Sequence, residues 1–205
     1  MLKDLIQKKT PFIDVRSPAE FNQGSIPLSI NIPILNDMER EIVGKAFKSS
    51  GQETAKKIGH QLVSGKIKND RVNEWKKFIE ANPRSWLYCA RGGLRSEIAQ
   101  SWLKNIGLII DRVDGGFKSI RNFCLEVFEH INEDNKDWLV LAGRTGSDKT
   151  GMINKLKNSI DLEGLANHRG SAFGARSTKQ PSPVNFENFL TFEYLYHESN
   201  KLVLE

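Results

Sequence analysis

The residues in this chain best suited to covalent chemistry lie in the run Tyr88-Cys-Ala-Arg-Gly-Gly-Leu-Arg-Ser96. A thiolate is the nucleophilic form of cysteine, and a thiol of pKa about 8.5 needs help to ionise at neutral pH. The run supplies it. Gly92 and Gly93 let backbone amides turn inward, Arg91 and Arg95 add positive charge, and a helix expected from about Arg95 aims its positive end at the sulfur of Cys89. The same cradle would hold an incoming oxyanion. The competing reading, a strand cysteine that only packs, leaves the glycine pair, both arginines and the helix start at one turn unexplained. Cys89 is therefore read as a catalytic nucleophile, cradled by Arg91, Gly92, Gly93 and Arg95.

A second anion-binding pattern is Gly143-Arg-Thr-Gly-Ser-Asp-Lys-Thr150. It approximates a phosphate-binding P-loop, with an apolar strand before it and a helix after it, as that motif requires. Gly143 and Gly146 fall on the motif's loop, Gly146 lets amides approach a phosphate, Lys149 would reach the phosphates, and Thr150 would face a metal or a phosphate oxygen. Asp148 departs from the pattern. It stands where the motif has its second glycine, and it puts a carboxylate beside the anion and a Cβ where glycine's freedom is wanted. Both effects oppose binding, so a glycine-containing turn that binds nothing remains the rival reading of this loop.

The elements that must position these loops alternate between strand and helix. Strands are expected at 11–15, 29–32, 86–89 and 108–113, and helices from Ser17 to Gly24, at 40–47, 52–63, 72–79 and 95–104, and from about 118 to 131. A polar joint at 132–137 separates a second unit. It comprises a buried strand at 138–142, a helix reaching Leu156, a glycine-rich basic loop at 161–183, a helix at 186–196 and a strand at 201–204. Such alternation implies parallel sheets. The expected architecture is α/β, with one domain over 1–132 and a second, incomplete P-loop α/β domain over 133–205. About 70 residues is less than such a domain needs to cover both faces of its sheet.

Composition limits the function classes. Hydrophobic residues make up 39% of 205 positions, enough for an ordinary core, and no stretch approaches the roughly 18 apolar residues of a membrane span. The amino terminus lacks a signal peptide's apolar centre, so a cytoplasmic location without a membrane is expected. In that compartment Cys89 and Cys124 are free thiols, and Cys124, between Phe123 and Leu125 in a helix, reads as core. His60, His130 and His197 have no partners at metal-ligand spacing, so no metal site is expected. Trp75, Trp86, Trp102 and Trp138 read as core. Thirty basic against 25 acidic residues favour a polyanionic partner without demanding one.

A Cys-x5-Arg-Ser cradle serves two chemistries. A cysteine phosphatase attacks phosphorus, whereas a rhodanese-type enzyme attacks sulfur or selenium and carries it as a persulfide or perselenide. Spacing alone leaves both open. Upstream, Phe12-Ile-Asp-Val-Arg-Ser-Pro-Ala-Glu-Phe21, Gly24-Ser-Ile-Pro27 and Asn31-Ile-Pro33 resemble the amino-terminal signature of rhodanese domains, in which the equivalents of Asp14 and Arg16 are structural.

The whole chain resembles the bacterial tRNA 2-selenouridine synthase family, a rhodanese domain followed by a P-loop domain. Beyond the two loops, the matches include Leu35-Asn-Asp-Met-Glu-Arg40, Gly115-Gly-Phe-Lys118 with Arg121, Asp161-Leu-Glu-Gly-Leu-Ala-Asn-His-Arg-Gly-Ser171, Phe173-Gly174, Gln180-Pro181 and Phe186-Glu-Asn188. The resemblance implies replacement of the sulfur of wobble 2-thiouridine in tRNA by selenium from selenophosphate, through an S-geranylated uridine made from geranyl diphosphate. It implies no tightly bound cofactor. It makes Cys89 the essential cysteine and offers His168, Arg169 and Arg176 as phosphate or tRNA contacts. Chains of that family continue past the position of Glu205, so the expectation is a C-terminally truncated member with room for a second polypeptide to complete the P-loop sheet. The alternatives are a cysteine phosphatase and a non-catalytic remnant that binds tRNA or phosphate.

Overall fold

A short helix, α1 (Leu2–Gln7), buries Leu5 and Ile6 and leads into β1 (Phe12–Asp14), a strand with all three residues buried. The computed structural model describes residues 1–144, 146–170 and 174–205. Its contacts divide into Thr10–Ile120 and, separately, Met1–Lys9 with Arg121–Glu205.

In the first unit β1 is followed by α2 (Pro18–Gln23), β2 (Ser29–Asn31), α3 (Asp37–Leu62), α4 (Gly65–Ala81), β3 (Trp86–Tyr88), α5 (Leu94–Lys104), β4 (Asp111–Arg112) and the start of α6 (Gly116–Glu129). The sheet runs β2-β1-β3-β4 with every pair parallel, and its register sets Asp14 beside Tyr88, one residue before the cysteine. Ile13, Val15, Leu87, Ala99, Leu103 and Trp75 form its core. The two middle helices expected at 40–47 and 52–63 are the halves of α3, broken at Gly51, whose φ of 81° suits glycine alone. The first half begins earlier than expected because Asn36 caps it: its side chain accepts from the Glu39 amide at 2.9 Å while its own amide donates to Glu39.

A buried ion pair fixes the end of β1. The Asp14 carboxylate accepts from Arg16 Nε and Nη2, and Arg16 Nη2 donates onward to the Gly24 carbonyl at 2.6 Å. Burial pushes the Asp14 carboxyl up against the opposing pull of Arg16. The guanidinium lies 3.9 Å from the centre of the Phe117 ring.

The second unit contains β5 (Asp137–Val140), α7 (Lys149–Ile153), β6 (Ser159–Ile160), α8 (Leu162–Leu165), α9 (Pro183–Tyr196) and β7 (Lys201–Leu204), with a parallel sheet in the order β5-β7-β6. The sequence sets the junction at 132/133. In the structure the later turns of α6 group with this unit, since Arg121 donates to Asn188 and Thr191 donates to the Cys124 carbonyl, both on α9. Cys124 is buried and its thiol is pushed up to about 12 by that burial, as befits packing. The strand expected to be buried is a correction: on β5, Leu139 and Val140 are 55% and 73% exposed. β5 is an edge strand paired with β7 among the described residues, and its Trp138 alone stacks inward, on Tyr194 at 5.8 Å. No helix among the described residues is long and apolar enough to cross a membrane.

Replacing Asp14 by alanine strands a buried guanidinium and is expected to cost about 3–5 kcal/mol of unfolding free energy, measured by urea titration. A cost of about 1 kcal/mol or less, the size of an exposed pair, would show that the pair does not hold this corner.

Candidate functional site

β3 delivers Cys89 into the turn before α5, with the residue 3% exposed. Its sulfur lies 3.3 Å from Ser96 Oγ and 3.8 Å from the Gly93 carbonyl. The Ser96 hydroxyl donates to the Gly93 carbonyl at 2.9 Å. A hydroxyl has one hydrogen, so Ser96 can serve that carbonyl while Cys89 is a thiol and turn to the sulfur when it is a thiolate. Among the described residues the amides of 90–93 donate to no backbone carbonyl, which leaves them for an anion.

The loop keeps its shape through the start of α6. The amides of Phe117 and Lys118 donate to the carbonyls of Cys89 and Ala90, at 2.8 and 3.0 Å. So close an approach requires glycine: a Cβ at Gly116 would stand 2.2 Å from the Cys89 carbonyl oxygen and 2.6 Å from the Gly92 nitrogen, and one at Gly92 would stand 2.7 Å from the Gly115 nitrogen. Gly92, Gly115 and Gly116 all have positive φ.

The charged residues divide differently from the sequence expectation. Arg91 is exposed on the loop. Arg95 is committed to Glu20, donating through Nη1 and, at 2.9 Å, through Nη2. Burial would push the Glu20 carboxyl up, but the bond and charge of Arg95, the Ser17 amide and the Arg40 charge outweigh it and hold it at about 2. The cation at the loop's own backbone is Arg112, whose Nη1 lies 3.3 Å from the Gly92 carbonyl and 3.5 Å from Ser96 Oγ. Sequence reasoning missed it. The available signal was an Asp111-Arg112 pair closing an apolar strand segment.

In the second unit Gly143 and Gly146 fall on the turn from β5 to α7 and Lys149 and Thr150 open α7, while Thr145 lies outside the described residues. Thr150 Oγ1 donates to Glu205 Oε1 at 3.0 Å, and Lys149 Nζ is 4.0 Å from the same oxygen. Parallel pairing of β5 with β7 brings Glu205 there. Its side chain is 2% exposed, and Oε2 has no hydrogen-bond partner among the described residues. Asp148 has φ 59° and ψ 34°, the left-handed conformation that the sequence argument assigned to glycine.

An antiparallel bridge brings His168 and Arg169 beside Gly174 and Ala175, next to Arg176. His168 bridges Ala175, and the Arg169 amide donates to the Gly174 carbonyl at 2.9 Å. Arg169 and Arg176 are exposed. Ser171 and Phe173 of the same run lie outside the described residues. Among the described residues no three His, Cys, Asp or Glu side chains cluster as a metal site.

Comparison with known proteins places these loops. Residues 1–123 match the family model described as the rhodanese-like domain. The chain belongs to the rhodanese-like family. Residues 136–205 match the model of the tRNA 2-selenouridine synthase AAA domain. The tRNA 2-selenouridine synthase of Shewanella denitrificans is 48% identical over 95% of this chain and 53% of its own length. That of Sulfurovum sp. is 48% identical over 94% and 53%. The chain thus spans about half the length of the curated relatives it matches. Among solved structures, the N-terminal domain of a Clostridium difficile 630 protein named for ATP/GTP binding is 33% identical, with a TM-score of 0.53 over 57% of this chain and 90% of that one. The rhodanese-like fold, the P-loop-like second region and the resemblance to tRNA 2-selenouridine synthase are therefore as the sequence motifs indicated.

Two outcomes are expected. Gly116→Ala forces the α6 start away from the loop, so the rate of Cys89 alkylation by a small reagent should change at least several-fold while the fold survives; an unchanged rate would show that the wedge does not set the loop. Asp148→Gly should remove left-handed strain worth about 1 kcal/mol and a repelling charge, raising affinity for inorganic diphosphate several-fold by calorimetry. Equal, measurable affinity would show that Asp148 is harmless, and no binding by either form would make this a turn without a ligand.

Proposed function

We propose that this chain carries the chalcogen-transfer centre of a tRNA 2-selenouridine synthase, in which Cys89 and its anion cradle work with selenophosphate to replace the sulfur of wobble 2-thiouridine by selenium. The observation that supports it is a cysteine over free amides joined in one chain to a phosphate-binding-type loop, at 48% identity over 95% of the chain to a protein named for that product. On this reading the enzyme is a selenotransferase that acts in the cytoplasm on tRNA and needs no tightly bound cofactor.

The chemistry divides into two displacements. The 2-thiouridine sulfur attacks C1 of geranyl diphosphate, the C–O bond breaks and diphosphate leaves. The selenium of selenophosphate then attacks C2 of the base, the C–S bond breaks and geranylthiol leaves; the Cys89 thiolate takes the phosphoryl group as the Se–P bond breaks, and water hydrolyses the phosphocysteine and releases phosphate. The amides of 90–93 suit the phosphoryl oxygens of selenophosphate. The 143–150 loop suits the departing diphosphate. Thr150 and Glu205, with a buried free carboxylate oxygen, fit a divalent cation, which would neutralise diphosphate charge there. His168, Arg169 and Arg176 suit tRNA phosphates. A second polypeptide pairing along the exposed edge of β5 would complete the sheet.

The test is transfer of labelled selenium from selenophosphate to 2-thiouridine tRNA in the presence of geranyl diphosphate. Cys89→Ala is expected to slow it at least about 100-fold. Transfer that survives the substitution would remove Cys89 from the mechanism. Turnover of an aryl phosphate without any acceptance of selenium would instead favour the cysteine phosphatase, and tRNA binding with an unreactive Cys89 would favour a binding role.

A further inference from the structure

Arg95 stands in the first turn of α5, next to Ser96, whose Oγ lies 3.3 Å from the Cys89 sulfur. A guanidinium on a flexible stem could reach an anion over the loop from there, and its planar fork matches two phosphoryl oxygens as no other side chain does. That fork is already filled. Among the described residues the hydrogen bonds of Arg95 all go to Glu20, Nη1 to one carboxylate oxygen and Nη2 to the other at 2.9 Å, with both side chains partly buried. A carboxylate presents the same pair of oxygens as a phosphoryl group, so Glu20 stands where a competing anion would.

Glu20 is located from its own side of the contact. α2 begins with a capping box in which the Ser17 amide donates to Glu20 Oε2 at 3.0 Å, the Ala19 amide donates to Asp37 of α3 at 2.9 Å, and Arg40 of α3 lies 3.7 Å from Glu20 Oε2. Burial opposes its ionisation, yet Arg95, the Ser17 amide and Arg40 hold the carboxyl at about 2, so it carries its charge at any working pH. The other cations do not replace the fork. Arg112 donates to the Gly92 carbonyl and lies 3.6 Å from Glu97, and Arg91 is exposed. Among the described residues the loop therefore offers an anion the amides of 90–93 with no guanidinium fixed over them.

We propose that Glu20 sets the specificity of the Cys89 cradle by withholding the Arg95 fork from the bound anion. Amides alone suffice for a phosphoryl group on selenium, whose P–Se bond is weak and whose selenide leaves readily. A phosphate monoester must break a stronger P–O bond to a poorer leaving group, and the fork that would stabilise its transition state is engaged elsewhere. Inorganic phosphate is disfavoured in the same way, which keeps the cradle open in its presence. The filter deepens the proposed function and rests on that reading for the identity of the favoured donor.

The test releases the fork in the full chain. Glu20→Gln keeps the capping box, which glutamine also serves, and turns a charge-assisted bidentate contact with Arg95 into a neutral one of roughly half the strength. Binding of inorganic phosphate is read from the concentration that protects Cys89 against iodoacetamide. Turnover is read with p-nitrophenyl phosphate: the Cys89 thiolate attacks phosphorus, the P–O bond breaks, nitrophenolate leaves, and water then cleaves the S–P bond. In Glu20→Gln, phosphate should protect at a concentration about tenfold lower or less, and kcat/KM for the ester should rise by about tenfold or more. Glu20→Asp, whose carboxylate is drawn back by one methylene, should show a smaller gain in the same direction. The double variant Glu20→Gln/Arg95→Ala should lose the gain. No gain in either single variant, or a gain that persists without Arg95, would overturn the filter and leave the pair as a tie between α2 and α5. A gain in a protein that transfers no selenium from selenophosphate to 2-thiouridine tRNA would leave the filter standing and remove the synthase reading; transfer without a gain would do the reverse.

Discussion

Everything at the cysteine depends on how closely the first turn of α6 approaches the 89–93 loop. Two amides of that turn satisfy the carbonyls of Cys89 and Ala90. Once those carbonyls are held outward, the amides that follow them are free to face an anion. The approach is possible because Gly92 and Gly116 have no Cβ at the crossing point, where one would lie within 2.7 Å of backbone atoms. The Asp14–Arg16 pair acts on the same turn from the other side, since Arg16 lies against Phe117. Cradle, strand end and helix start are thus one packed object.

Much of this was legible in the sequence because it is local. The Cys89 run, its glycines, the helix starting at Ser17 and the strand–helix alternation all follow from neighbours along the chain. So did the division of the middle helical region into segments at 40–47 and 52–63, between which the structure places Gly51. What stayed hidden depends on residues far apart. Arg95 reads as part of the cradle by position, yet Glu20, 75 residues earlier, takes its guanidinium, and Arg112 reaches the loop from another strand. Gly115 and Gly116 look like a turn; their role as the wedge under the cysteine appears only when α6 is placed against it.

The second unit shows the same contrast. The glycines, Lys149 and Thr150 were visible as a spaced motif, and Asp148 was visible as its exception; the left-handed backbone at Asp148 shows that the exception bears a conformational load. Glu205 had no local signal. It meets Thr150 because β5 and β7 are parallel neighbours, a fact of sheet order. The exposure of Leu139 and Val140 on β5 likewise depends on how many strands and layers cover the sheet, which no window of sequence records.

The near-complete covering of Cys89 has a consequence for selectivity among reagents. With the Cys89 residue 3% exposed at the base of a backbone cradle, a bulky disulfide such as oxidised glutathione has less access to the sulfur than a small tetrahedral anion. Shielding and reactivity usually trade against each other in a thiol. On the proposed function the two would be separated by size, with large oxidants held off a thiol that serves a small oxyanion.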